Sequence, residues 1–124
     1  VADYKPAQSA TQKIKRAGEA LQLQLEPNPD IVAAMAHQKR STQLVIGFAA
    51  ETDDLIENAT QKLQNKNLDL IVANPVGGPQ STIGADNATA QLLLPGKAPE
   101  PLPQLPKPQI AQRIFDAIVA LLPE

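Results

Sequence analysis

The sequence predicts a three-layer α/β/α domain with a largely parallel sheet. Two apolar runs, at residues 44–50 and 68–74, have the length and composition of buried strands, and the segment between them repeats apolar residues at helical spacing. Residues 109–122 form a second amphipathic helical pattern. Strands that alternate with helices favour parallel pairing, with helices on both faces of the sheet.

The composition is that of one ordinary domain. The chain has 124 residues, of which 43% are hydrophobic, and a formal net charge of -2, so nothing indicates a nucleic-acid or membrane surface. The absence of cysteine and the single histidine argue against disulfides, a cysteine nucleophile and a metal site. No apolar run is long enough to span a bilayer. The cytoplasm is the expected location.

The N-terminal part predicts a strand end, a basic flap and a second strand. Residues 1–4 look like the last part of a strand with Asp3 at its carboxyl end, and the chain starts without methionine, so we expect it to be truncated at its N-terminus. Lys5-Pro6 should end this strand. Residues 5–20 carry the densest positive charge, including Lys13, and fit either a flap or a solvated loop. The alternating leucines of residues 21–26 predict a half-buried strand.

A helix should follow this strand directly. Asn28 can cap free backbone N–H groups and Pro29 suits the first helical position. The pattern extends to His37, with Ile31 and Met35 on the buried face. His37 is given no role. A helix start directly after a strand end places backbone N–H groups where ligands collect.

The helix after the first apolar run carries two lysines. Asp53 and Asp54 suit the positive end of its dipole, and its sheet-facing side repeats at fourfold spacing through Leu55, Ala59 and Leu63. Lys62 and Lys66 are neighbours on its flank with no carboxylate on the helix to pair with. They fit either a solvated basic flank or a clamp for an anion.

The rest of the chain predicts a loop, an edge strand, a linker and a helix. Pro75 ends the second apolar run and a glycine-rich loop follows. Alternation at residues 88–94 indicates a further strand, at the sheet edge. Six of the 12 prolines fall in residues 95–108, which excludes a helix or inner strand and predicts an extended surface linker. The helix at 109–122 then returns to cover the sheet with an apolar face made of Ile110, Ile114, Ala117, Ile118 and Leu121.

Polar residues fall at the carboxyl ends of the predicted strands. In this architecture those ends share one edge of the sheet. The residues are Asp3, Phe48 with Glu51, and Asn74. With Lys13, Lys62 and Lys66 nearby, the edge would suit a polyphosphate.

Seven segments form a set that is more specific than any one of them. They are Val1-Ala2-Asp3-Tyr4, Lys13-Ile14-Lys15-Arg16, Asn28-Pro29-Asp30-Ile31, Gly47-Phe48-Ala49-Ala50-Glu51-Thr52, Lys62 with Lys66-Asn67-Leu68-Asp69, Ile71-Val72-Ala73-Asn74 and Gly84-Ala85-Asp86-Asn87. In this order and spacing they resemble the C-terminal part of phosphopantothenate-cysteine ligase. In bacteria this ligase is usually fused behind a flavin-dependent phosphopantothenoylcysteine decarboxylase, and the pair is called the pantothenate metabolism flavoprotein.

The resemblance implies a Rossmann-like fold and a CTP-dependent ligase of coenzyme A biosynthesis. The carboxylate of 4'-phosphopantothenate would react with CTP to give an acyl-cytidylate and pyrophosphate, and the amine of cysteine would then displace CMP. Mg²⁺ on the phosphates is implied, and FMN only in the decarboxylase domain, which we expect this chain to lack. Carried over by position, the nucleotide contacts are Asp3, Lys13, Pro29, Asp30, Ile31, Val32, Phe48, Lys62 and Lys66. Lys13 would be catalytic, and Asn74 at a strand end and Asp86 and Asn87 in the glycine-rich loop would be further contributors to the site.

The resemblance also implies what the chain lacks. An N-terminal half of the ligase would supply the rest of the sheet and much of the phosphopantothenate site, so the chain alone should not turn over, and the full-length enzyme should be a homo-oligomer. The alternative is a non-catalytic α/β binding module that docks a partner protein through the proline segment or the lysine edge. Titration with CTP and Mg²⁺ distinguishes the two hypotheses.

Overall fold

The computed structural model describes residues 2–16, 18–78, 81 and 83–122. The chain divides into two compact units, Val1–Ile31 and Val32–Glu124. Val1, expected in the first strand, and Pro79, expected in the glycine-rich loop, lie outside the described residues.

The N-terminal unit is held by a short antiparallel ladder. β1 (Tyr4–Pro6) pairs with β2 (Leu25–Pro27). Asn28 extends the ladder, because its backbone N–H donates to the carbonyl of Asp3 over 2.8 Å and its side-chain amide donates to the carbonyl of Ala2, also over 2.8 Å. None of the described residues of this unit is buried.

Three expectations for this unit are wrong. Asp3 precedes β1 and does not end a strand, and Pro6 lies within β1 and does not break it. Leu21 and Leu23 lie outside β2 and are 65% and 66% exposed. Alternation selects one face of an extended segment, but burial also requires a layer that covers that face.

The C-terminal unit is built on a four-stranded sheet in the order β3-β4-β5-β6. β3 (Ile46–Glu51) and β4 (Leu70–Pro75) are parallel and are joined through α2 (Leu55–Asn65), whereas β5 (Asn87–Leu93) and β6 (Glu100–Pro106) each run antiparallel to their neighbours. The α/β class is confirmed. The expected largely parallel sheet is corrected to a mixed one, since the chain reverses between β4 and β5 and again between β5 and β6, and the described residues of these two connections form no helix.

One face of the sheet is covered by α1 and α2. Ala36 of α1 (Ile31–Gln38) and Ala59 and Leu63 of α2 pack in a cluster with residues of β3, β4 and β5. Leu55 packs against the same cluster, which confirms the predicted sheet-facing side of α2.

The other face is covered by α3 (Lys107–Val119). Ile110 and Ile114 are buried in a second cluster with residues of β4, β5 and β6. The predicted inner face is confirmed, because Ala117 and Ile118 of the helix pack on the same cluster, as does Leu121, which lies just beyond the end of α3. Helices on both faces make the three layers that the sequence predicts.

The central strand β4 contributes to both clusters. Leu70 and Val72 face the α3 layer, while Ile71 and Ala73 face the α2 layer, and all four are buried. A strand buried on both faces reads as a continuous apolar run, which is how this one appears in the sequence.

The start of α1 differs from the prediction. The helix begins at Ile31, not at Pro29. The side chain of Asn28 donates to Ala2. Ile31 and Met35 are exposed, and the buried residue of the helix is Ala36.

Two expectations for the later strands are corrected. β5 lies between β4 and β6 and is not at the edge. The proline segment is not a linker throughout, because residues Glu100–Pro106 form the edge strand β6. Leu102 of β6 is buried between the exposed Pro101 and Pro103. Proline fits an edge strand when its missing N–H would face away from the sheet.

Candidate functional site

The carboxyl ends of β3 and β4 lie side by side at one edge of the sheet, here named the carboxyl edge. The parallel strands place Ala50 opposite Asn74 and Glu51 opposite Pro75. The backbone N–H of Val76 donates to the carbonyl of Glu51 over 2.9 Å and continues the pairing past the strand ends. Open α/β sheets hold their ligands at this kind of edge.

A carboxylate at the carboxyl edge holds a lysine of α2. Glu51 accepts a hydrogen bond from Nζ of Lys62, and Nδ2 of Asn58 lies 3.5 Å from the other carboxylate oxygen. Asn58 also donates to the carbonyl of Asp53 over 3.0 Å. The Glu51 side chain is 15% exposed and that of Lys62 is 42% exposed. Lys62 is therefore paired, through a partner that comes from β3 and not from its own helix.

The aromatic ring of Phe48 leaves β3 on the face of the sheet that is opposite to α2. Ala49 is buried in the α2-side cluster, and because successive side chains of a strand alternate, Phe48 points to the α3 side. Phe48 is 69% exposed and lines an open cleft of about 410 Å³. An exposed ring beside apolar walls can stack on a planar ligand. The cleft is also lined by Asn74, Val76, Ile83, Lys107 and Ile110.

Lys66 lies at the far end of α2. It is the C-cap residue, and its backbone N–H donates to the carbonyl of Lys62 over 3.1 Å. The helix starts beside the carboxyl edge and runs away from it for 11 residues, roughly 16 Å at the usual rise per residue. Side chains on a helix lean toward its N-terminus. Lys62 therefore reaches back to the edge, and Lys66 stands one turn further away.

The predicted loop contributors tie the walls of the cleft together. Nδ2 of Asn74 donates to the carbonyl of Thr89 over 3.0 Å. The carbonyl of Asp86 accepts a hydrogen bond from the backbone N–H of Lys107 over 3.1 Å, and Asn87 begins β5. These contacts join β4, β5 and the start of α3.

The other predicted site residues lie in or next to the N-terminal unit. Asp3 joins the β1–β2 ladder through its carbonyl. Lys13 is exposed in the segment between β1 and β2. Pro29 and Asp30 directly precede α1, which begins with Ile31 and Val32.

Two features are absent from residues 2–16, 18–78, 81 and 83–122. No group of three or more His, Cys, Asp and Glu side chains there is arranged to hold a metal ion. Within the same residues, no helix has the length and apolar character that a membrane span requires.

Sequence reasoning missed a second anchored carboxylate, Asp69, at the amino ends of β3 and β4. Nζ of Lys39 donates over 2.8 Å to Oδ1 of Asp69 and over 2.8 Å to the carbonyl of Asn67. The backbone N–H of Val45 donates to Oδ2 of Asp69 over 2.7 Å. The contact joins the end of α1 to the starts of β3 and β4. The only sequence signal was a carboxylate at the start of a buried strand.

The fold and its site define a class of protein. This is a three-layer α/β domain with a mixed sheet, in which Glu51 at the carboxyl end of β3 holds a lysine of α2. Phe48, expected at that strand end, is instead the third of the six residues of β3, and its ring is exposed. The chain belongs to the DNA/pantothenate metabolism flavoprotein C-terminal domain family, whose pattern matches residues 1–122. The family match confirms the resemblance drawn from the seven sequence segments.

Curated relatives carry the name "Coenzyme A biosynthesis bifunctional protein CoaBC". The chain is 41% identical over 122 residues to the protein of that name from Escherichia coli K12, which covers 96% of this chain and 30% of that protein. It is 44% identical over 92 residues to the one from Haemophilus influenzae, which covers 74% and 23% of the two chains. The chain thus spans less than a third of the length of these relatives.

A solved structure shares the fold. The crystal structure of the C-terminal domain of CoaBC superposes with a TM-score of 0.69 at 32% identity. The match covers 95% of this chain and 48% of that chain.

Proposed function

We propose that this chain is the nucleotide-binding part of a cytoplasmic, CTP-dependent phosphopantothenate-cysteine ligase of coenzyme A biosynthesis. The observation that carries the proposal is the pair of groups on β3: the exposed ring of Phe48 leaves the strand on one face, and Glu51, at its carboxyl end, holds the ammonium of Lys62 from α2. A nucleoside triphosphate needs both groups, because its base stacks and its phosphates require positive charge. The names of the relatives support the pathway.

The chemistry of such a ligase proceeds in two displacements. A carboxylate oxygen of 4'-phosphopantothenate attacks the α-phosphorus of CTP, the bond to the β-phosphate oxygen breaks, and pyrophosphate leaves. The cysteine amine then attacks the acyl carbon, loses a proton and expels CMP as the amide forms. Both steps depend on positioning and on neutralising the charge that develops on oxygen.

Each proposed contact has a distinct task. Phe48 stacks on the base, and residues of the Pro29–Val32 segment contact the base and sugar. Lys62 and Lys66 contact phosphate oxygens. An ammonium has three N–H donors, so Lys62 keeps two for phosphate while one binds Glu51. Lys13 stabilises the charge that grows during acyl transfer.

Mg²⁺ and self-association complete the proposal. The cation would travel on the triphosphate, where it keeps several waters and needs one or two protein carboxylates at most. It would neutralise part of the charge of the phosphates. The whole enzyme would act as a homo-oligomer, with the phosphopantothenate site supplied largely by other parts of the protein.

The chain offers a matched test of the stacking role. It has two phenylalanines, and both are exposed, Phe48 at 69% and Phe115 on α3 at 63%. In the whole protein, Phe48→Ala should raise the KM for CTP about tenfold and change kcat much less, as loss of uniform binding does. Phe115→Ala should change neither constant. A fall in kcat at constant KM in Phe48→Ala would contradict the assignment.

Calorimetric titration with CTP and Mg²⁺ tests the proposal as a whole. Intact protein should bind, and Lys62→Gln should bind about tenfold more weakly because a charge-assisted contact is lost. Lys97→Gln, at an exposed lysine of the β5–β6 connection, should bind as the parent does. A folded protein that gives no heat with CTP would favour the non-catalytic binding module.

A further inference from the structure

Glu51 and Lys62 form a pair of unequal accessibility. The carboxylate is the more enclosed member, and its two oxygens face donors from α2, Nζ of Lys62 and Nδ2 of Asn58. The ammonium is the member that solvent reaches. An anion that arrives at the carboxyl edge therefore meets the lysine before it meets the glutamate.

We propose that Glu51 is a positioning residue that fixes the Lys62 ammonium for the nucleotide phosphates. This inference rests on the proposed function and deepens it. A lysine stem is long and flexible, and ordering such a side chain on binding weakens affinity. Glu51 orders it beforehand and occupies one of its three donors. Asn58, itself fixed to the carbonyl of Asp53, helps to keep the carboxylate in place.

A competing role for Glu51 predicts the opposite sign. If the carboxylate only competes with phosphate for the ammonium, its removal should tighten nucleotide binding, because a like charge next to the phosphates is lost. If it positions the lysine, its removal should weaken binding. Glu51→Gln separates charge from position, since the amide keeps an acceptor oxygen for Lys62 and carries no charge.

The test is the dissociation constant of CTP with Mg²⁺, measured by calorimetry in the whole protein. Glu51→Ala should weaken binding about fivefold, the range expected when one long side chain must be immobilised on binding. Glu51→Gln should stay within about twofold of the parent. Glu51→Asp shortens the reach of the carboxylate and should also weaken binding, which provides a second variant if Glu51→Ala does not fold.

A double variant distinguishes positioning from general distortion. In a Lys62→Gln background the Glu51→Ala change should have no further effect, because the group that Glu51 positions is gone. Glu57→Ala, at an exposed acidic residue of the first turn of α2, controls for the loss of one negative charge and should leave affinity unchanged.

The outcomes separate this inference from the function on which it rests. If Lys62→Gln binds CTP as the parent does, the phosphate role of Lys62 fails. If Lys62→Gln weakens binding while Glu51→Ala leaves it equal or tighter, the phosphate role stands and the positioning role of Glu51 is overturned. An equal loss from Glu51→Ala with and without Lys62 would also overturn it.

Discussion

The N-terminal unit and the C-terminal unit are stabilised by different kinds of interaction within each unit. The N-terminal unit depends on a backbone ladder of three residue pairs and on an ion pair between Lys5 and Glu26 whose side chains are about half exposed. The C-terminal unit has apolar clusters on both faces of its sheet. Backbone pairing without burial leaves a segment easy to open, whereas burial on two faces resists opening. The N-terminal unit should therefore open more easily than the sheet of the C-terminal unit.

The sharpest way to break this comparison is a matched pair of leucine truncations. Leu70→Ala removes a side chain that is fully buried in β4 and should lower the free energy of unfolding by about 3 kcal/mol. Leu23→Ala removes an exposed one and should change it by less than about 0.5 kcal/mol. Urea denaturation measures both. Similar losses in the two variants would show that the N-terminal unit has a core after all.

A second prediction is that a change at Lys13, in the N-terminal unit, affects the reaction rate and leaves the stability of the protein unchanged. Lys13→Gln should lower the single-turnover rate of amide formation about a hundredfold at saturating CTP and phosphopantothenate, as loss of one preorganised group facing a developing charge does. The melting temperature should not move, because Lys13 is exposed. Lys15→Gln is the matched control and should affect the rate much less. A rate equal to that of the parent would show that Lys13 takes no part in the chemistry and would favour a solvated loop at residues 5–20.

Two ion pairs that differ in exposure, Lys39–Asp69 and Lys5–Glu26, give a third, smaller test. The carboxylate of Asp69 binds Lys39 and accepts a hydrogen bond from the N–H of Val45, and less than a quarter of each side chain of the ion pair is exposed. Asp69→Asn removes the negative charge from these contacts. The free energy of unfolding should fall by about 2 kcal/mol. Glu26→Gln breaks the exposed pair with Lys5 and should change it by less than about 0.5 kcal/mol. Thermal unfolding at low and high salt checks both, and salt should abolish only the smaller effect.

The elements that sequence predicts well are those whose partners lie close along the chain. β3, α2 and β4 follow one another, and each shows its own period, so their type, order and parallel pairing could be derived. The buried face of α3 could be derived for the same reason, because five apolar residues recur on one side of a single helix.

The elements that sequence misses depend on neighbours that no local pattern names. The alternating pattern of β5 does not indicate that a proline-rich segment pairs with the edge of β5 that faces away from β4. The many prolines of β6 argue against a strand there, so the burial of Leu102 could not be predicted. The same holds for the site. Phe48 and Lys62 could be picked out singly, but the bond between Lys62 and Glu51 crosses from a strand to a helix over 11 residues of sequence. That distance lies outside the three- and four-residue spacings by which helical ion pairs are recognised.

The prolines of β6 also determine which edge of the sheet can pair with a further strand. Pro101 and Pro103 have no N–H, so the outer side of that strand cannot offer a continuous row of donors to a newcomer. β3 stands at the other end of the strand order and contains no proline between Ile46 and Glu51. A further strand, from any source, would therefore add beside β3, next to the residues of the candidate site, while the β6 side acts as a stop against edge-to-edge aggregation.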